Sequence, residues 1–229
     1  MSKEFECWVW RQSGASLPGG WEVLSLSFDE KDTVLDALRR YNQSKGARAI
    51  RFCGEDDEAA RGPMNINGVP ALAGETTVAD LAQPVMLSPF ESFSLVADLA
   101  VDLSPLQSDL KAAAKLAPES VNADAIAADC GACGVCHEAA SEYRVGEDGK
   151  TGYMGPAPIM ILEASNGDAA GAEKKSERMA LLMGERGVIH DRNTFTYDGV
   201  CPVERDLVGA MARAKRQTTF RWLAGLGLD

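Results

Sequence analysis

Cys130, Cys133 and Cys136, spaced by two residues, and a fourth cysteine far downstream in Cys201-Pro202 carry the clearest chemistry in the chain. Thiolates at C-x2-C-x2-C take three corners of one cubane from a single loop, so the fourth corner comes from elsewhere. In two-cluster proteins the run reads C-x2-C-x2-C-x3-C-P, and the cysteine before proline serves the other cluster. Here the run's own fourth place holds Ala140, followed by Ser141, while a distant Cys201-Pro202 is kept. The spacing therefore predicts one complete [4Fe–4S] site on Cys130, Cys133, Cys136 and Cys201, with the second cluster of the motif lost.

Zinc also takes four cysteines, but its usual signature is two separated C-x2-C pairs rather than a run of three. A disulfide framework has less support: the chain opens MSKEFECW, without an apolar signal segment that would point to an oxidising compartment. Cys7 and Cys53 lie outside the run and read as small buried hydrophobes. His137 and His190, the only two histidines, read as ordinary residues, because four thiolates already complete the site.

The 229 residues are 45% hydrophobic, enough for one large or two small domains. No apolar run approaches the roughly 20 residues of a membrane helix. A net charge of −11 opposes binding to nucleic acid or an anionic membrane, both of which call for a basic face.

Positioning elements follow from periodicity. Phe5, Cys7 and Val9 alternate with polar or amphipathic neighbours as a strand, and Leu24, Leu26 and Phe28 mark a second one after a turn at Gly19-Gly20. Val34, Leu35, Leu38 and Tyr41 recur at helical spacing, with Asp32 or Thr33 as cap and Gly46 as stop. Residues 47–52 predict another strand, Asn67-Gly68 a tight hairpin, and residues 93–101 the strand that closes the sheet. Helices are predicted over 105–116, 120–129, 156–165, 174–184 and 203–214, the last with Pro202 in its first turn, and residues 165–172 as a mobile loop. The fold class is α+β: an N-terminal β-grasp domain over 1–104 and an all-helical domain over 105–229.

Several segments are similar to the iron–sulfur subunit of succinate dehydrogenase and fumarate reductase. In the family's order these are Thr33 to Leu38 (TVLDAL), Met64 to Gly68 (MNING) with Ala71-Leu72-Ala73, Asp98 to Asp102 (DLAVD), the cysteine run, Tyr153 to Ala157 (YMGPA) and Cys201-Pro202. The resemblance implies a plant-ferredoxin-like N-terminal domain and a bacterial-ferredoxin-like helical domain. Members carry electrons between a flavoprotein subunit and quinone through [2Fe–2S], [4Fe–4S] and [3Fe–4S] clusters. A flavoprotein partner follows, with a membrane-anchor subunit as a further one, and a cytoplasmic location, peripheral on the inner face of a membrane through those partners. No nucleic-acid partner is expected.

The departures are specific. Anchored on MNING, the family's [2Fe–2S] ligand places fall at Gly54, Ala59, Gly62 and Gly74, and its [3Fe–4S] places at Ala140, Asp191 and Tyr197. None is cysteine, so neither cluster is expected. The family's quinone-pocket tryptophan and histidine places hold Val145 and Arg192. An electron-transfer subunit with one [4Fe–4S] cluster is the leading expectation. The alternative is a non-redox structural or assembly subunit that docks a flavoprotein and uses its cluster to brace the fold, and a zinc-stapled module is a third. No acid–base or nucleophilic constellation occurs in the chain, so dicarboxylate chemistry would belong to the flavin subunit.

Overall fold

The computed structural model describes residues 3–43, 45–55, 57, 59–118, 130–167 and 169–225. The mixed α+β chain divides into two compact units, Met1–Asp102 and Leu103–Asp229.

The first unit is built on a five-stranded sheet. Strand β1 (Lys3–Arg11) pairs antiparallel with β2 (Gly20–Phe28), setting Phe5 opposite Leu26 and Cys7 opposite Leu24. The period-two pattern puts Phe5, Cys7 and Val9 on the buried face. Strands β3 (Pro63–Ile66) and β4 (Val69–Leu72) form the two-residue hairpin at Asn67-Gly68, with both turn residues at positive φ. Strand β5 (Val85–Ser88) runs parallel to β1 and antiparallel to β3, giving the order β2-β1-β5-β3-β4.

Helix α1 (Val34–Asn42) starts on Thr33, whose hydroxyl accepts from the Asp36 amide at 3.1 Å while the Asp36 carboxylate accepts from the Thr33 amide at 3.0 Å. Such a reciprocal cap contributes about 1 kcal/mol. Val34, Leu35, Ala37 and Leu38 then face the core shared with β1, β3 and β5.

Two strand expectations fail in this unit. Residues 47–52 form no strand. Ile50 and Phe52 point inward, but the backbone is held by side chains: the Ile50 amide donates to Asn42 Oδ1 at 2.8 Å and the Arg51 amide to Asp98 Oδ2 at 3.1 Å. Residues 93–101 do not close the sheet either. They supply β6 (Ser94–Ala97) and β7 (Ala100–Asp102), a separate hairpin, and the sheet is completed by β5.

The second unit is helical: α2 (Ser104–Leu116), α3 (Val135–Glu138), α4 (Pro156–Asn166), α5 (Lys175–Met183) and α6 (Leu207–Gly225). Helix α4 is apolar almost all round and packs against α2, α5 and α6, as such a helix must. Arg178 of α5 is fully buried, its guanidinium donating to Asn166 Oδ1 at 2.8 Å and to the Leu116 carbonyl at 2.7 Å, so it satisfies the end of α2 and holds the last side chain of α4. Arg213 of α6 meets Glu163 at 3.1 Å and Asp206 at 3.2 Å. Towards its C-terminal end α6 is exposed, Phe220 and Trp222 among its residues.

The last helix does not begin at Pro202. Glu204 sits at φ +53, which a helix cannot include, and Asp206 caps the start instead, accepting from the Gly209 amide at 2.7 Å. Within 165–172, expected to be a loop, α4 extends to Asn166 and a 3-10 turn spans Ala169–Lys174. The helix expected over 120–129 lies outside the described residues. No helix among the described residues is long and apolar enough to cross a membrane.

Candidate metal centre

The cysteine run lies on a tightly curled stretch of backbone. Gly131, Ala132 and Gly134 all adopt positive φ (+63, +46 and +81), bending the chain between each pair of cysteines. A left-handed alanine costs about 1 kcal/mol, a strain that packing around the loop has to hold. From Gly134 the chain enters α3, where the amides of His137 and Glu138 both donate to the Gly134 carbonyl at 2.9 Å. Cys136 is buried on that helix, while Cys130, Cys133 and Cys201 are half-buried. None of the six cysteines is in a disulfide.

The structure brings the four predicted cysteines into one electrostatic neighbourhood. Burial pushes the Cys136 thiol well above the ordinary thiol range, and the charges of Cys133, Cys130 and Cys201 push it further. Among the described residues no three histidine, cysteine or carboxylate side chains are drawn close enough to hold an ion. Three thiolates around a buried fourth repel it and one another, and a cationic group that binds all four removes that repulsion. The donor set fits a group that takes four thiolates.

His137, passed over as an ordinary residue, packs on this centre. It is fully buried, with Nδ1 3.3 Å from Cys136 Sγ and Nε2 3.3 Å from the Met154 carbonyl. A carbonyl only accepts, so Nε2 carries the hydrogen. Burial drives the ring pKa down to about 3, keeping it neutral. Tyr143 meets the ring edge-on at 4.6 Å. Gly155, at φ +83, leaves room for the imidazole: a Cβ there would lie 2.2 Å from its ring atoms. The signal in the sequence was the YMGPA segment, which brings Met154 and Gly155 to the histidine.

The other ligand places that the resemblance implies are filled differently. In the first unit a Cβ on Gly62 or Gly74 would lie 3.0 or 3.2 Å from Leu35 side-chain atoms, and one on Gly54 would lie 2.1 Å from the Ala60 methyl. Cys53, next to the first of these places, is half-buried and not a simple hydrophobe: its sulfur accepts from the Val101 amide at 3.4 Å and donates to the Val101 carbonyl at 3.5 Å. Cys7 is sealed in the core, where burial raises its pKa to about 12.

In the second unit Ala140 is buried, and Asp191 and Tyr197 meet directly, the phenol donating to Asp191 Oδ1 at 2.6 Å. Asp191 Oδ2 accepts from the Thr194 hydroxyl at 2.5 Å and pairs with Lys215 Nζ at 2.7 Å. Tyr153 stands behind, its hydroxyl 3.5 Å from that of Tyr197. Val145 forms an isolated bridge with Thr151, and Arg192 is exposed.

No family model matches the chain. It is 30% identical over 173 residues to the succinate dehydrogenase iron–sulfur subunit of Bacillus subtilis, covering 69% of this chain and 67% of that one. It is 26% identical over 175 residues to a fumarate reductase iron–sulfur subunit of Escherichia coli, covering 70% of each. Among solved structures, a chain of the Mycobacterium smegmatis Sdh1 complex in the apo form superposes with a TM-score of 0.76 at 18% identity, over 96% of this chain and 98% of that one. A hypothetical protein from Helicobacter pylori shares the fold over 93% of this chain and 39% of its own, with a TM-score of 0.58 at 14% identity.

Proposed function

The chain belongs to the family of succinate dehydrogenase and fumarate reductase iron–sulfur subunits, and on that premise we propose that it passes electrons through a single [4Fe–4S] cluster held by Cys130, Cys133, Cys136 and Cys201. The observation that carries this reading is the convergence of Cys130, Cys133 and Cys201 on the buried Cys136, near enough to act on its charge. Such a group supplies one-electron transfer. The residues here would supply its thiolates, a neutral His137 beside one of them, and a tightly curled loop that holds three in order.

In this reading the first unit is a β-grasp domain of plant-ferredoxin type without its cluster, and the second a helical domain of bacterial-ferredoxin type. The partner is a flavoprotein subunit, which carries the substrate chemistry, with a membrane-anchor subunit as a second partner. The location is the cytoplasmic face of a membrane, reached through those partners.

One observation favours a second reading, in which the cluster braces the fold and carries no current. Side chains of the chain itself crowd or occupy both sets of places where neighbouring clusters would stand, Leu35 in one unit and Asp191 with Tyr197 in the other. The experiment that separates the readings is rapid reduction of the purified complex by its flavoprotein's substrate. Bleaching of the cluster's visible absorption within the turnover time supports electron transfer. A flavin that cycles while the cluster spectrum stays constant overturns it.

A further inference from the structure

Asp191 is a buried carboxylate with three separate partners. Its side chain is 0% exposed, and it receives the hydroxyls of Tyr197 (2.6 Å) and Thr194 (2.5 Å) and the ammonium of Lys215 (2.7 Å). Lys215 also donates to Thr194 Oγ1 at 2.7 Å. Because the Tyr197 hydrogen goes to Asp191, Tyr153 is the donor across the 3.5 Å between the two phenols. Burial pushes both phenols above their ordinary range, so they stay neutral donors. A buried charge is tolerable when every lone pair finds a donor, and here the two carboxylate oxygens share three.

The network ties three parts of the second unit together. Tyr153 precedes α4, Lys215 lies on α6, and Asp191, Thr194 and Tyr197 span the segment between α5 and α6. That same segment delivers Cys201. From Tyr197 the chain needs one tight turn, in which the Val200 amide donates to the Tyr197 carbonyl at 3.3 Å, and the Cys201 carbonyl then accepts from Glu204 at 2.9 Å. Cys201 is the one member of the thiol set outside the 130–136 loop, so its placement depends on what holds this segment.

We propose that Asp191, through Tyr197, Thr194 and Lys215, is the positioning group for Cys201: a hydrogen-bonded clamp stands at two of the places where relatives' metal ligands would fall and holds the 191–201 segment so that the fourth thiolate reaches the other three. This rests on the reading of Cys201 as a ligand. The clamp acts through the backbone of that segment and touches no sulfur among the contacts described.

The test uses the full chain loaded anaerobically with iron and sulfide, and reads iron release to a ferrous chelator alongside thermal stability. Tyr197→Phe and Asp191→Asn should load about four irons per chain and release them about tenfold faster than the parent, the factor that one lost hydrogen bond to a charged group gives at 1.4 kcal/mol. Thr194→Val, which removes the donor to Asp191 and the acceptor from Lys215, gives the same reading and serves if Asp191→Asn does not fold. Arg213→Gln is the control, because it loosens α6 at Glu163 and Asp206 without touching the segment. Release from Tyr197→Phe at the parent rate overturns the clamp, and so does equal acceleration in Arg213→Gln at matched loss of stability. Cys201→Ser separates the two levels: a variant that keeps all its iron defeats the ligand reading, whereas loss of iron there with unchanged release in Tyr197→Phe defeats the clamp alone.

Discussion

Leu35 of α1 lies within 3.0 Å of where a Cβ on Gly62 would stand and 3.2 Å of where one on Gly74 would stand. One leucine therefore crowds two of the four places where the family resemblance would put the ligands of a first cluster. Leu35 is itself core, packed among Val34, Leu38, Met64 and Ala73, and cannot move aside without opening that core.

Putting cysteine back at 54, 59, 62 and 74 should therefore fail to create a second cluster. The side chains added at 54, 62 and 74 each meet a close neighbour, and overpacking costs about 1–3 kcal/mol per site. Gly54 and Gly62 add the strain of positive φ. Iron and sulfide analysis of the fourfold variant should give the parent value. A gain of about two irons, the content of a [2Fe–2S] group, would show that Leu35 yields.

Single replacement of Cys130, Cys133, Cys136 or Cys201 by serine should abolish or sharply reduce iron retention, while Cys7→Ala and Cys53→Ala should keep it. Cys201→Ser should also lower the melting temperature of the second unit, because that residue joins distant segments and metal binding is linked to folding. Iron per chain and calorimetry check both. Iron lost on Cys53→Ala and kept on Cys201→Ala would reverse the assignment.

Gly155→Ala should be as damaging as a ligand change without touching a sulfur. Its methyl would fall 2.2 Å from the His137 ring, and the residue would be forced to φ +83. Together these cost on the order of 2–4 kcal/mol. A lower melting temperature and reduced iron content are the expected outcome. Parent values for both would mean that the imidazole can swing away from Cys136.

Cys7 should make stability pH-dependent on the alkaline side. Its thiol is raised from 9.0 to about 12 by burial, so the folded chain keeps it neutral while the unfolded chain ionises it near 9. The contribution is fully present below pH 9 and is lost as pH rises from 9 towards 12, by a few kcal/mol in total. Urea unfolding of the parent and of Cys7→Ala should converge over that range, and alkylation of Cys7 in the folded chain at pH 8.5 should be far slower than in the unfolded chain.

What could be read in the sequence was local. The capping pair Thr33 and Asp36 and the Asn67-Gly68 turn act over three or four residues, so spacing alone announces them. The alternation of Ile50 and Phe52 was equally visible and misleading, because both side chains point inward while the backbone bonds go to Asn42 and Asp98. Strand β5 is four residues long and joins β1 from more than seventy positions away, a parallel pairing that no local pattern announces. At the site, the cysteine run was legible as a spacing, but the bond from Tyr197 to Asp191 was not. Those two residues stood out only as missing cysteines, and what fills such a gap is decided by packing at long range.

Helix α6 carries Arg213, Lys215, Arg216 and Arg221 and no acid, which leaves −15 on the rest of the chain once those four charges are taken from −11. Arg213 and Lys215 are spent on Glu163, Asp206 and Asp191, whereas Arg216 and Arg221 form no ion pair among the described residues. Charge is screened over about 8 Å at physiological salt, and a helix of 19 residues is about 28 Å long. A negatively charged body at a distance therefore meets net repulsion, and attraction begins only when it lies within a few ångströms of this one helix. Added salt should relieve the first effect before it weakens the second, so encounter at α6 would pass through an optimum in ionic strength.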